Sequence, residues 1–148
     1  MNRRDFLLLV ISRLFYGKIS NLDIVTQYLL KSGKKKNSGI FKRIYLNGWE
    51  YNLLLSNEES YIKISIKPKG GKSKEYINLE DKGLDAICDF GMMPEIINWS
   101  PLEGLVNKEK KRIIYNQEKN EGLEHKEKFQ KIYTRILEDL ASRIIKYS

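Results

Sequence analysis

Gly39-Ile40-Phe41-Lys42-Arg43-Ile44-Tyr45-Leu46-Asn47-Gly48-Trp49 is the stretch whose reading decides the fold. At helical spacing, Ile40, Phe41, Ile44 and Tyr45 share one face of a short helix, capped by Ser38 and ended by Asn47-Gly48. As a strand, the same residues run into Asn47-Gly48 as a two-residue type I′ turn, and Trp49 to Leu55 becomes the returning strand. Propensity favours the strand, since β-branched and aromatic residues fit a pleated surface. Both readings stay open at this point.

On the N-terminal side, Phe6, Leu7, Val10, Ile11, Leu14 and Phe15 recur at helical spacing and predict a helix over Asp5 to Tyr16, ended by Gly17. Ser20 with Asp23 three positions on predicts the start of a second helix, which carries Leu22, Val25, Leu29 and Leu30 inward and stops near Gly33. Gly33 to Gly39 reads as a loop by composition. On the C-terminal side, Tyr61 to Ile66 alternates as a strand should, Lys67 to Lys74 is a glycine- and lysine-rich tip, and Glu75 to Leu79 is the returning strand. A helix is expected near Asp81, carrying Leu84, Ile87 and Cys88 and broken by Gly91 and Pro94. Ser100-Pro101-Leu102-Glu103 combines a capping serine, a first-turn proline and an acid three residues after the cap, and predicts a helix to about Gln117. Leu123 to Tyr147 is a long amphipathic helix with Phe129, Ile132, Tyr133, Ile136, Leu137, Leu140, Ile144 and Tyr147 as its apolar stripe. The expected core is Phe6, Leu7, Val10, Leu14, Leu22, Val25, Leu29, Ile64, Ile66, Leu84, Ile87, Ile136 and Leu140.

The chain has 148 residues, enough for one core, and a single cysteine, Cys88, which cannot close an internal disulfide. Cys88 lies among Leu84, Ala86 and Ile87 and reads as core filling. Arg3-Arg4 ahead of Phe6-Leu7 looks like a twin-arginine export signal, but Ser12 and Arg13 interrupt the apolar region and no small-residue cleavage site follows, so a cytoplasmic location is expected. No run reaches the roughly 20 apolar residues of a membrane-spanning helix. The net charge is +8, concentrated in the first third, where ten Lys/Arg face two Asp/Glu. Such a region favours an anionic partner.

Residues suited to chemistry are sparse. His125 lies alone in a charged run, and no Cys/His spacing matches a metal site. Gly70-Gly71-Lys72-Ser73 resembles the end of a phosphate-binding loop, but the strand expected after it lacks the helix N-terminus that would hold phosphate. Glu58, Glu59, Glu80, Asp81 and Asp85 with Lys63 offer acids and a lysine of the kind nucleases use, without a specific spacing. The expectation is a non-enzymatic protein with no cofactor and no metal.

Glu75-Tyr76-Ile77-Asn78-Leu79-Glu80-Asp81-Lys82-Gly83-Leu84-Asp85-Ala86-Ile87 resembles the end of the wing in MarR- and PadR-like winged helix-turn-helix regulators, with Tyr76, Leu79, Gly83, Leu84 and Ile87 at the matching positions and Glu80 where that family carries threonine. The resemblance implies an α+β, winged-helix-like fold: two N-terminal helices, a small antiparallel hairpin or meander, and C-terminal helices including one long amphipathic helix. Residues 1–90 would form the basic winged-helix-like domain, and 91–148 a helical extension packed on it as one compact unit. It further implies a transcriptional regulator or mobile-element accessory factor that binds double-stranded DNA through Lys34, Lys35, Lys36, Lys42, Arg43, Lys67, Lys69, Lys72 and Lys74. A homodimer would form through Phe129, Ile132, Tyr133, Ile136, Leu140 and Ile144, the alternative being that this stripe packs within one chain. The competing function is a protein–protein adaptor or inhibitor of the phage or plasmid type, without DNA contact.

Overall fold

The computed structural model describes residues 19–69, 77–94 and 112–147. Helix α1 (Asn21–Ser32) leads into a sheet of β1 (Lys34–Lys36), β2 (Gly39–Leu46), β3 (Trp49–Ser56), β4 (Tyr61–Pro68), β5 (Ile77–Lys82), β6 (Phe90–Pro94) and β7 (Arg112–Asn116), and helix α2 (Lys126–Lys146) follows a short 3-10 turn. All seven strands are antiparallel and stand in sequence order, so each pairs with its chain neighbours. The described residues therefore form a seven-stranded meander with two helices on one side, which overturns the winged-helix fold and with it the resemblance to MarR- and PadR-like proteins.

Three observations carry the correction. Residues 40–46 are strand: Asn47 (φ 52°) and Gly48 (φ 81°) both take the left-handed values that a type I′ turn demands, and Leu46 pairs with Trp49 across it. The residues after Gly83 form no helix; the segment from Gly83 to Asp89 is an irregular loop, and Ile87, expected in the core, is 49% exposed. Arg112 to Asn116, expected to end a helix, is strand β7. The predicted domain boundary at residue 90 falls inside the sheet, because β6 pairs with β5 on one side and β7 on the other. The helix expected over Asp5–Tyr16, the Ser100-Pro101-Leu102-Glu103 start and the Gly70-Gly71-Lys72-Ser73 tip lie outside the described residues.

Local chemistry explains the elements that form. Ser20 Oγ accepts from the Asp23 N–H at 3.1 Å while Asp23 Oδ2 accepts from the Ser20 N–H at 3.2 Å, a reciprocal cap that opens α1. Leu22, Val25 and Leu29 then turn inward. At the far end Gly33 is required for space: a Cβ there would meet Ile40 Cγ2 at 2.4 Å and the Leu29 carbonyl at 2.5 Å. Beyond it the Lys34-Lys35-Lys36 stretch, expected as loop, forms edge strand β1.

Period-two alternation divides the sheet into two faces. Ile44, Tyr51, Leu53, Leu55, Ile62, Ile64, Ile66, Ile77, Leu79, Met93, Ile113 and Tyr115 fall on one face by strand register and are buried. The helices cover that face: α1 contacts β2, β3 and α2, and the α2 stripe of Phe129, Ile132, Tyr133, Ile136, Leu140 and Ile144 joins the same core. All six stripe residues expected at a dimer interface are thus buried inside one chain. No helix among the described residues is long and apolar enough to cross a membrane.

Phe129 fixes where α2 crosses the sheet. Its ring lies over Gly91, where a Cβ would come within 2.3 Å of it, and stacks beside Tyr115 with ring centroids 6.2 Å apart. Replacing Gly91 by alanine forces that ring to move and is expected to cost about 1–3 kcal/mol, read as a lower denaturation midpoint. Ile136 is fully buried. A charge there costs more than the roughly 5–15 kcal/mol total stability of a domain readily absorbs. Ile136→Asp is therefore expected to abolish cooperative unfolding, whereas Ile145→Asp, at an exposed position, should leave the transition in place; a folded, monomeric Ile136→Asp protein would contradict the packing described.

Candidate functional site

The face of the sheet away from the helices carries the residues missing from the core. By register it holds Lys34 and Lys36 of β1, Phe41, Arg43 and Tyr45 of β2, Glu50, Asn52 and Leu54 of β3, and Tyr61, Lys63, Ser65 and Lys67 of β4. Asn78, Glu80 and Lys82 continue it on β5; beyond them it turns more apolar, with Phe90 and Met92 on β6 and Ile114 on β7. Cations and aromatic rings are in contact on the β1–β4 half. Lys36 Nζ lies 4.1 Å and the Arg43 guanidinium carbon 5.8 Å from the centre of the Phe41 ring, and Lys69 Nζ lies 5.0 Å from that of Tyr45.

A buried carboxylate organises the middle of this face. Glu50 Oε2 is 3.3 Å from Lys67 Nζ and 3.7 Å from Arg43 Nε, and accepts from Asn52 Nδ2 at 3.0 Å. Arg43 Nε also donates to Asn52 Oδ1 at 3.0 Å. Burial raises the Glu50 pKa, but the Asn52 and Lys67 hydrogen bonds and the two cations outweigh it and hold the carboxyl below its usual value. One row further, Ser65 Oγ donates to Asn78 Oδ1 at 3.0 Å, and both side chains are buried.

Of the nine residues expected to contact DNA, Lys34, Lys36, Arg43 and Lys67 share this open face. Lys35 and Lys42 alternate to the other side, where Lys42 Nζ reaches 5.6 Å from the Tyr28 ring centre. Lys69 follows β4 and turns to Tyr45, and Lys72 and Lys74 lie outside the described residues. Sequence reasoning missed Lys63, Phe41, Tyr45 and Tyr61 as members of the same surface. Their alternation identifies them once residues 40–46 are taken as strand. For Lys34–Lys36 there is also a protective role: lysines on an edge strand discourage pairing with another chain.

A second cluster lies on the other side of the sheet. Ligand oxygens of Asp81, Asp85 and Asp89 lie within 4.8 Å of one another, the one such acidic group among the described residues. Asp81 and Asp85 are among the acids that the sequence offers for chemistry; Asp89 is not. Asp81 Oδ2 accepts from Tyr133 Oη at 2.6 Å and from the Ala86 N–H at 3.0 Å, and its Oδ1 from the Asp85 N–H at 3.3 Å. Asp89 Oδ2 accepts from the Lys82 N–H at 2.6 Å, and Asp85 Oδ1 from the Ile87 N–H at 3.1 Å. These bonds satisfy backbone donors of a loop in which Leu84 and Ala86 have positive φ, so the acids already have structural work as a loop clamp. Cys88 beside them is buried, its thiol donates to the Phe90 carbonyl at 3.2 Å, and burial pushes its pKa up to about 12, which leaves no thiolate at neutral pH. Comparison with protein-family models, with curated proteins and with solved structures finds no match to this chain.

Burial pushes Asp81 up to about 6, and the Asp85 carboxyl beside it adds to the rise. A carboxyl with a higher pKa in the folded than in the unfolded chain favours folding in acid; its contribution is complete below about pH 4 and fades as the group ionises. Stability is therefore expected to fall as the pH rises through about 6, from this group. Asp81→Asn keeps an acceptor for Tyr133 without the charge. Urea denaturation should show it flattening the profile between pH 4 and 7. A variant with the unmodified slope would contradict this.

Proposed function

We propose that this protein binds nucleic acid on the open face of its sheet, and that a single strand suits this face better than a duplex. The observation that carries the reading is the set of cations and rings on one face of β1–β4: Lys34, Lys36, Arg43, Lys63 and Lys67 interleaved with Phe41, Tyr45 and Tyr61. Cations spaced along strands can follow a phosphate backbone, and aromatic rings offer platforms on which bases stack irrespective of sequence. Lys42 and Arg43 lie on strand β2, and among the described residues no helix protrudes from this face to enter a major groove. Arg43 and Lys67 are held by Glu50, which orders them at the cost of part of their charge. Lys34, Lys36 and Lys63 carry no carboxylate within 4.0 Å among the described residues and are the freer cations.

The combined change Lys34→Gln, Lys36→Gln and Lys63→Gln is expected to weaken binding of a single-stranded oligonucleotide by at least about tenfold and to lower the slope of log K against log salt by about 0.7 for each phosphate left without its lysine. Lys119→Gln, Lys126→Gln and Lys131→Gln together make the same charge change at exposed sites off this face. They should alter binding little. Fluorescence anisotropy across a salt series measures both. Equal losses in the two triple variants would reduce the effect to net charge, and an unmodified protein that binds no strand at low salt would refute the proposal.

A further inference from the structure

Where the β2–β3 turn meets the last turns of α2, the surface opens into a groove of about 500 Å³, lined among others by Tyr45, Arg135, Asp139, Arg143, Lys146 and Tyr147. That volume is of the size that takes a small organic ligand. Arg143 Nε donates to the Tyr45 carbonyl at 2.9 Å, so the guanidinium is held across the groove by the sheet. Its central carbon lies 4.1 Å from the Tyr147 ring centre, and Lys146 Nζ lies 5.4 Å from the same ring. Cations in a last helical turn commonly just offset the helix dipole. Arg143 instead spends its Nε–H on a strand carbonyl, and neither Arg143 nor Lys146 has a carboxylate partner among the described residues.

The acid in the lining is accounted for. Arg135 Nε donates to both oxygens of Asp139, at 3.2 and 3.3 Å, one helical turn from Arg143. The charge left over is therefore positive and sits at the Arg143–Lys146 end. Tyr147 is 53% exposed, so its ring surface is available at the groove, whereas Tyr45 meets the groove through the carbonyl that Arg143 holds, its ring standing by register on the other face beside Lys69.

We infer that this groove binds a phosphate monoester carried on an aromatic base, that is, a nucleotide, either free or as the phosphorylated end of a strand. The guanidinium of Arg143 offers a planar fork of donors to phosphate, Lys146 adds a point charge, and the exposed Tyr147 ring gives the base a surface to lie on. Tyr45 is shared with the open sheet face, so the strand-end form rests on the function proposed above, whereas the free-nucleotide form stands without it.

Calorimetric titration with a nucleoside monophosphate and with the matching nucleoside, and anisotropy with single strands bearing or lacking a 5′-phosphate, separate these forms. The monophosphate is expected to bind at least tenfold more tightly than the nucleoside. Arg143→Gln and, separately, Lys146→Gln should each remove most of that difference, while the Lys34, Lys36 and Lys63 variant keeps it. A preference for the 5′-phosphorylated strand that disappears in Arg143→Gln supports the strand end; monophosphate binding with no such preference supports the free nucleotide. If unphosphorylated strands fail to bind but the monophosphate still does, the sheet-face proposal falls and the groove stands. The inference is overturned if neither the monophosphate nor the 5′-phosphate is favoured, or if both variants bind like the unmodified protein with unchanged melting temperatures.

Discussion

The ring of Phe129 resting on Gly91 is the contact on which the rest of the structure depends. An aromatic side chain can approach strand backbone that closely only where no Cβ intervenes, so the pair sets both the height and the position of α2 over the sheet. With Phe129 placed, helical periodicity carries Tyr133, Ile136, Leu140 and Ile144 down the same line, and each is buried. The tyrosine reaches Asp81, which in turn holds the loop before β6, so one glycine joins helix placement to loop geometry. Among the described residues both helices cover the same face of the meander, and Lys34, Arg43 and Lys63 share the other with the buried polar side chains of Glu50, Ser65 and Asn78.

Several elements are readable from local chemistry. Ser20 and Asp23 form a complete cap within four residues, Tyr61 to Ile66 alternates without exception, and the α2 stripe keeps its period over the whole helix. Each of these signals is contained in the segment it describes. The stretch from Ile40 to Leu46 is ambiguous for a physical reason. Ile40 and Ile44 are four apart, a spacing that serves a helix face and a strand face equally well. What separates the two is Asn47-Gly48, whose paired left-handed residues fit a hairpin and no helix interior.

The segment after β5 misleads for the opposite reason. Leu84, Ile87 and Cys88 have helical spacing, but the Asp81 carboxylate accepts the Asp85 and Ala86 N–H groups, and the Cys88 N–H donates to α2 instead, where Gln130 Oε1 receives it at 2.8 Å. Backbone donors taken by side chains are not available to a helix. Gln130 is forty-two positions away in the chain, so nothing local announces the competition. The candidate site shares this limit: its basic residues are visible one by one, while the face they occupy follows only from strand pairing across the sheet.

The order of elements has a consequence for how the chain is made. Every strand of the meander pairs with a sequence neighbour, so the sheet can assemble progressively as a ribosome delivers it. Its apolar face, however, is closed by α2, which emerges after the last strand. Until then Tyr51, Leu53, Ile64 and Leu79 form an oily plane with α1 as the partial cover that the described residues supply. Newborn chains in that condition adhere to one another or to chaperones. Yield in cells should thus be governed by the interval between synthesis of β7 and docking of α2, a property of timing that the finished molecule's stability does not reveal.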